Sequence, residues 1–458
     1  MNDKLISTVQ GKHFLVLGLG RAGRGVANAL LHANASVWAY DDNQMVWRTP
    51  AVKSLIQQGL RPFISGVHPP LSGIITSPGF PQTHKIISEF RKLKLRVVDE
   101  LDFASQFLPG QVIAITGTNG KSTTVALIAA LLKHAGEKVF LGGNILPGRP
   151  LSEALLLPPK DYYCVEVSSF QLERSIFLAP KIAVLLNITP DHLNRHKTFT
   201  DYVRTKAKIF ARQTSSDWAV LNRDDTVTKK ILKSVRAKRA FFSRKPTGMR
   251  EPNCAYIIRD HFYFGGEKIA PIATINTVPG LLPHFNPLVE NALAAIVCAR
   301  LCGVPPHLIR QGLKTFHPLQ HRLELVRQLN GVYYINNSMC TNPQAGVRSL
   351  MAFKKKVILI CGGKEKNLPD TPYLRAIKKK AKQVILLGEN SDRLARNLMK
   401  MGYQRCKIAY TMRTAVLEAY TIARQGDIVL FSPGYASFDM FVDFQERGKA
   451  FKHEVKKL

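Results

Sequence analysis

Ile113-Ala114-Ile115-Thr116-Gly117-Thr118-Asn119-Gly120-Lys121-Ser122-Thr123-Thr124 is an apolar, β-rich run that meets a glycine turn and then a Lys-Ser pair, where apolar residues begin to recur at helical spacing. Strand, glycine turn and helix in that order form a phosphate-binding loop. Successive backbone N–H groups and a helix N-terminus face the phosphates, the lysine reaches the β and γ oxygens, and the hydroxyl helps hold Mg²⁺. The general pattern has a further glycine where this chain has Ile115, so the loop is a variant. Gly117, Thr118, Asn119, Gly120, Lys121, Ser122 and Thr123 are therefore candidate ATP contacts.

Composition narrows the surroundings of that loop. At 458 residues the chain is long enough for about three domains on a scale of ~150 residues each. No stretch approaches the ~20 apolar residues of a membrane span, and the first residues lack the apolar core of a secretory signal. The expectation is a cytoplasmic protein that does not insert in a membrane. Seven scattered cysteines read as reduced thiols. The formal net charge is +33. Lys and Arg are spread along the whole chain and are not interleaved with aromatics as in a single-strand channel. That pattern favours capture of anionic small molecules over a specific nucleic-acid partner. A monomer is expected.

Alternating strand and helix signals divide the chain into three α/β blocks, 1–102, 103–318 and 319–458, each an open, mainly parallel sheet with helices. Block one runs from a strand at 13–17 into Gly18-Leu19-Gly20-Arg21-Ala22-Gly23, then a helix, a strand at 36–40 and the acidic pair Asp41-Asp42; Ser77-Pro78-Gly79 closes a later strand. Gly-x-Gly-x-x-Gly after a strand, with acidic residues about twenty positions on, suggests a Rossmann-like nucleotide site. Block two follows the phosphate loop with strands expected at 138–143, 162–167 and 182–188, a helix near 202–212, a β-rich insertion around 256–264 and a helix at 288–302. Block three places strands at 357–361, 384–387 and 428–431 and a last helix after Asp439.

Polar clusters stand at the expected strand ends of block two, where open parallel sheets hold their ligands. Asn144 follows one strand, Glu166 and Ser168 another, and Asp191-His192 a third. A carboxylate and an imidazole near a phosphate loop are Mg²⁺ ligand candidates together with Ser122. These strings resemble the Mur ligases, the ATP-dependent amino-acid ligases of peptidoglycan precursor synthesis: GTNGKST at 117–123, GGN at 142–144, EVSSFQLE at 166–173, DHLNRH at 191–196, and a YxxxKxxI pattern from Tyr202 to Ile209. The resemblance covers nearly the whole chain. It implies an N-terminal UDP-binding domain, a central ATPase-like domain and a Rossmann-like C-terminal domain. It also implies that Lys206 is carbamylated, which turns an ammonium into an anionic oxygen ligand, and that two Mg²⁺ ions sit among Ser122, Glu166, His192 and Lys206. Lys121, Glu166, His192 and Lys206 are then the catalytic candidates. Gly18, Gly20, Ala22, Gly23, Asp41, Ser77, Gly79, Asn144 and Ser168 are the candidates for the UDP-linked substrate.

SPGYASFDMF at 432–441, followed by Phe444 and Glu446-Arg447-Gly448, is similar to the D-glutamate-adding branch of that family. So are His321-Arg322-Leu323-Glu324 and Gly362-Gly363-Lys364-Glu365-Lys366. The resemblance implies ligation of D-glutamate to UDP-N-acetylmuramoyl-L-alanine through an acyl phosphate. Thr341, Lys366, Ser437 and Phe444 would frame D-glutamate, with Asn291, Arg322 and Asn337 on ATP. Two departures stand out: the family's NDSKATN reads Asn336-Asn337-Ser338-Met339-Cys340-Thr341-Asn342, so its aspartate is Asn337 and its lysine Met339. Asn can still bond a ribose hydroxyl, but as a neutral group. Only Asn291 survives of the HNxxN pattern, with His284 and Asn286 upstream as stand-ins. The alternatives are a Mur-type ligase for another amino acid and a basic P-loop ATPase acting on nucleic acid.

Overall fold

The computed structural model describes residues 3–64, 70–145, 148–192, 195–246, 251–275, 278–281, 286–365 and 368–458. Its strands fall into three sheets. The first comprises β1 His13–Leu17, β2 Ser36–Tyr40, β3 Arg61–Pro62, β4 Gly73–Thr76 and β5 Val97–Asp99, ordered β3-β2-β1-β4-β5. The second comprises β6 Gln111–Thr116, β7 Val139–Gly143, β8 Tyr162–Glu166, β9 Ile182–Leu185, β10 Trp218–Asn222, β11 Lys238–Phe242, β12 Cys254–Ile258, β13 His261–Phe264 and β14 Glu267–Pro271. Their order is β14-β13-β12-β11-β10-β9-β6-β8-β7. The third comprises β15 Glu324–Leu329, β16 Val332–Asn336, β17 Val357–Cys361, β18 Ala381–Leu387, β19 Cys406–Ala409 and β20 Ile428–Phe431, ordered β15-β16-β20-β17-β18-β19. Pairing is parallel along the first sheet, from β7 to β12 in the second and from β16 to β19 in the third. The hairpin β12–β13 and the edge strand β15 run antiparallel.

The central strands read as continuous apolar runs because helices cover both faces of such sheets. β6, β8, β9 and β17 are buried almost throughout. The chain forms two compact units, Met1–Ala270 with Asn291–Gly312, and Pro271–Glu290 with Leu313–Leu458. Within the first unit a buried carboxylate links the segment after β5 to the second sheet. Asp102 accepts the N–H groups of Ile176 at 2.8 Å, Phe177 at 2.9 Å and Leu178 at 2.8 Å, and the Ser175 hydroxyl at 2.9 Å. Several donors on one ion satisfy its lone pairs, which is what permits a carboxylate to be buried.

Where the elements depart from the sequence reading, local bonds give the reason. The strand expected to reach residue 188 stops at Leu185, and two residues on the Asn187 carbonyl takes Thr118 N–H from the phosphate loop at 2.9 Å. The helix expected near 202–212 begins at Phe199, where Thr198 caps it through Asp201 N at 3.1 Å, and gives way after Ala207 to a tighter turn over Lys208–Phe210. The last helix, expected after Asp439, does follow it, starting at Phe444 with the Asp443 carboxylate capping Glu446 N at 2.7 Å. All seven cysteines are free thiols. Among the described residues, no helix is long and apolar enough to cross a membrane.

Candidate functional site

In the second sheet β6 lies between β9 and β8, and the chain leaves it in one direction for β7 and β8 and returns on the other side as β9. That reversal opens a crevice at the carboxyl end of β6, the place where open α/β sheets bind ligands. The loop 117–120 fills it and leads into the helix Lys121–His134. Gly120, at φ 87°, stands in a backbone conformation that favours glycine, and a Cβ there would sit 2.4 Å from Asn291 Oδ1 unless that side chain moved. Asn187 clasps the loop from β9's side, accepting Asn119 N–H at 2.9 Å and donating to Asn119 O at 3.1 Å. Lys121 folds back on the loop and donates to the carbonyls of Gly117 at 3.0 Å and Thr118 at 3.1 Å. Thr123 is buried within the first turn of the helix.

Register places the carboxylate. Glu166, the last residue of β8, stands opposite Ile115 on one side and Gly143 on the other. Its buried side chain accepts the Ser122 hydroxyl on Oε2 and Asn144 Nδ2 at 3.3 Å on Oε1. Ser168 begins the next helix with a capping box, its hydroxyl accepting Gln171 N–H at 3.3 Å. A buried carboxylate oxygen beside a serine hydroxyl at the mouth of a phosphate loop offers the hard oxygen donors that Mg²⁺ takes.

Lys206, on the helix Phe199–Ala207, is only 1% exposed. Its Nζ donates to Gly117 O at 2.8 Å, and it lies 4.8 Å from the centre of its neighbour Tyr202's ring. Burial, reinforced by the charge of Lys121, holds its pKa well below the ordinary lysine range, against the pull of Asp191 and Glu166. His192 adopts φ 52° and packs edge-on against Phe170 with ring centres 4.9 Å apart. Among the described residues no three His, Cys, Asp or Glu side chains close on one point, so a metal here would draw on hydroxyl, phosphate or carbamate oxygens as well.

The first sheet repeats the switch-point geometry, with β1 between β2 and β4. Gly18 N–H bonds Tyr40 O at 2.7 Å, and Gly20 precedes the helix Arg21–His32 that contains Ala22 and Gly23. Gly23 lets the helix touch the loop, since a Cβ there would lie 1.7 Å from the Gly18 carbonyl oxygen. Ser77 N–H pairs with Leu17 O at 2.9 Å, so the turn containing Gly79 borders the same loop. Asp41 braces this site: its carboxylate takes Leu19 N–H at 2.6 Å and Asn43 N–H at 2.9 Å. Of the nine candidates for the UDP-linked substrate, Asn144 and Ser168 stand instead beside Glu166, on the second sheet.

In the second unit the loops after β16, β17 and β20 lie side by side, because those strands are neighbours. Asn337 is buried, its Nδ2 donating to Ser349 Oγ at 2.7 Å and Ser432 Oγ at 3.1 Å while Oδ1 accepts Leu323 N–H at 3.2 Å. Ser349 gives its own proton to Ala345 O at 2.9 Å, so it can only accept from residue 337. Asn337→Asp is therefore expected to lower stability by about 1–3 kcal/mol, the cost of an unmatched buried polar group, read as a fall in the thermal midpoint. An unchanged midpoint would show that the serines turn to serve a carboxylate. Thr341 lines a cavity of about 60 Å³ with Lys364, Asp370, Arg393 and Tyr435. Ser437 is buried, Phe444 opens the last helix, and Arg322 is half-buried beside His321. Lys366 and His284 lie outside the described residues.

Sequence reasoning gave no role to Arg447. Fully buried, it donates to Ser338 Oγ at 3.1 Å, Ser338 O at 2.9 Å, Tyr435 O at 3.1 Å and Ala436 O at 3.0 Å, tying the loop after β16 to the loop after β20. Burial pushes its pKa down to about 10, against the opposing pull of Cys340 and Asp439.

Comparison with known proteins gives a consistent picture. Residues 115–299 match the family model of the Mur ligase middle domain, and residues 321–434 that of the Mur ligase glutamate ligase domain. The chain is 36% identical over 454 residues to UDP-N-acetylmuramoylalanine--D-glutamate ligase of Caldanaerobacter subterraneus subsp. tengcongensis, with 98% of each chain covered. It is 38% identical over 465 residues to the protein of the same name from Thermoanaerobacter sp. strain X514, covering 98% of this chain and 99% of that one. Among solved structures it is similar to MurF from Acinetobacter baumannii, with a TM-score of 0.65 at 16% identity over 99% of this chain and 98% of that one. MurF ligase from Thermotoga maritima in complex with ADP gives a TM-score of 0.61 at 17% identity, with 100% of each chain covered. At such identities these two structures speak for the fold alone.

Proposed function

The chain belongs to the Mur ligase family, and from that premise we propose that it joins D-glutamate to UDP-N-acetylmuramoyl-L-alanine at the expense of ATP, in peptidoglycan precursor synthesis. The observation that carries the chemistry is the meeting of the phosphate loop, Glu166 and the buried amine of Lys206 at one strand end. Residues 1–102 would bind the UDP moiety, 103–318 ATP, and 319–458 the incoming amino acid.

A carboxylate is a poor electrophile, so the L-alanine carboxylate first attacks the γ-phosphorus of ATP. An O–P bond forms to the substrate as the P–O bond to ADP breaks, giving an acyl phosphate. The α-amino group of D-glutamate then attacks the acyl carbon. A tetrahedral intermediate collapses with loss of phosphate, and the amine gives up a proton. Such transfers call on the protein mainly for positioning and charge neutralisation. Lys121 and the N–H groups of residues 117–123 would leave their resting contacts for the ATP phosphates. Asn291 faces the same loop, and Arg322 and Asn337 are the further candidates for ATP. Asn144 and Ser168 would orient the acyl end of the nucleotide sugar, whose UDP portion meets the loop braced by Asp41. Thr341, Lys366, Ser437 and Phe444 would frame D-glutamate.

Ser122 and Glu166 would hold one Mg²⁺, and His192 with carbamylated Lys206 a second. When bound, Mg²⁺ neutralises the phosphate oxygens and the charge that develops on them. Lys206 suits carbamylation because a neutral amine is the form that attacks CO₂: an N–C bond forms, one proton leaves, and an anionic oxygen pair replaces a cation that burial disfavours.

The test is phosphate release by the purified protein with Mg·ATP and UDP-N-acetylmuramoyl-L-alanine, adding D-glutamate, L-glutamate or other amino acids singly, with the product identified by mass. Release that needs both the nucleotide sugar and D-glutamate is expected. Turnover with a different amino acid alone would reassign the substrate within the family. ATP hydrolysis driven by nucleic acid would overturn the reading.

A further inference from the structure

Glu173 has no part in the reaction just described, yet its carboxylate gathers groups from distant parts of the first unit. It ends the helix Ser169–Glu173. Arg195 approaches in a fork, Nε at 3.0 Å from Oε1 and Nη2 at 2.8 Å from Oε2. His196 Nδ1 lies 3.6 Å from Oε1, its Nε2 engaged by Ser169 Oγ at 3.0 Å. From the first sheet, Gln82 Nε2 donates to Oε2 at 2.5 Å. Gln82 follows the turn that carries Ser77 and Gly79. Arg174, which follows Glu173 just past the helix end, strengthens that link, donating to Thr76 Oγ1 at 2.6 Å and Phe80 O at 3.0 Å.

Beyond Arg195 the contacts continue. The guanidinium carbon lies 4.1 Å above the Phe170 ring, and Phe170 in turn meets His192 edge-on. His192 holds a left-handed backbone, which persists only where its surroundings impose it. Its carbonyl accepts the N–H groups of Arg195 and His196, each at 3.0 Å. A shift of the 77–82 turn would pull on the oxygen that also aims Arg195. Arg195 in turn packs the ring that sets the imidazole.

We propose that Glu173 is a positioning residue that couples the nucleotide-sugar turn to the loop carrying His192, so that binding of the UDP-linked substrate strengthens metal binding. The inference rests on the reading above, in which Ser77 and Gly79 face the nucleotide sugar and His192 faces the metal.

The full chain would be titrated with Mn²⁺, followed by electron paramagnetic resonance, in the presence of a non-hydrolysable ATP analogue. Each titration is run with and without UDP-N-acetylmuramoyl-L-alanine, whose own binding is measured by calorimetry. For the unaltered chain the nucleotide sugar should tighten Mn²⁺ binding by a factor in the range of about 5–150 usual for coupled sites, and Mn²⁺ should tighten the nucleotide sugar by the same factor. Glu173→Gln should weaken Mn²⁺ binding about 10–100-fold, as loss of a residue that orients a metal ligand does. Gln82→Ala should leave Mn²⁺ binding without the sugar unchanged and abolish the gain. A thermal melt of each variant separates this from misfolding, since a purely structural loss lowers the midpoint and spares the affinity of the folded fraction. Full gain in Gln82→Ala, or nucleotide-sugar binding without gain in the unaltered chain, overturns the coupling alone. Absence of nucleotide-sugar binding overturns both readings.

Discussion

Lys206→Ala is expected to lower turnover about 10³-fold, with part of the activity returning on addition of a short carboxylic acid such as acetate. The amine is not exposed to solvent, and its Nζ points at the carbonyl of Gly117 from the helix behind the loop. Only a carbamate gives that position an anionic oxygen; removing the whole side chain opens space in which a free carboxylate stands in. Lys206→Met is the companion, because it removes a buried amine without leaving a large void. The lysine's folded pKa is lowered, so between that value and the ordinary lysine range the unfolded chain binds the extra proton and stability rises with pH. Unfolding midpoints taken across pH in CO₂-free buffer should therefore climb for the unmodified protein and flatten for Lys206→Met. They should lie higher in the variant at the acidic end, by roughly 2–4 °C for each ~1 kcal/mol gained. Full turnover in Lys206→Ala would remove the carbamate from the mechanism, and parallel pH curves would mean that the amine is hydrated.

Glu166→Gln is expected to cost about 10²–10³ in turnover while the fold persists. A glutamine in that place has the same shape and can keep hydrogen bonds to Ser122 and Asn144 after an amide rotation, so β8 and its register with Ile115 and Gly143 survive. What disappears is the negative charge. The Mg²⁺ concentration giving half-maximal rate should rise at least about tenfold, with binding of metal-free ATP unchanged or tighter, since repulsion between carboxylate and phosphate is relieved. An unaltered Mg²⁺ dependence would show that the carboxylate only orients the serine.

Much of this geometry was legible because its chemistry is written in backbone. A loop that must present N–H groups to phosphate needs glycine where Asn291 crowds Gly120, and the apolar run before it needs a parallel sheet to bury both faces. Glu166 was legible for the same reason: it ends a strand beside that loop. Asp41 was legible only in part, since an acid at a strand end announces a site but not that its oxygens are spent on Leu19 and Asn43. Glu173 and Arg447 were illegible in this respect. Their meaning comes from partners far along the chain, Gln82 for the one and Ser338 for the other, which no local pattern specifies. Asn337 shows a third case: the departure from the family pattern was plain in the sequence, while the two serines that make an amide suitable there were not.

The inward fold of Lys121 onto the Gly117 and Thr118 carbonyls makes nucleotide entry an exchange, not an addition. The resting loop acts as its own competing ligand. Adenosine, with no oxyanion to draw the ammonium away, would leave that internal pairing intact. A polyphosphate draws it outward and frees the loop in the same motion. On the proposed reading, selection for the charged tail would begin with the release of that lysine.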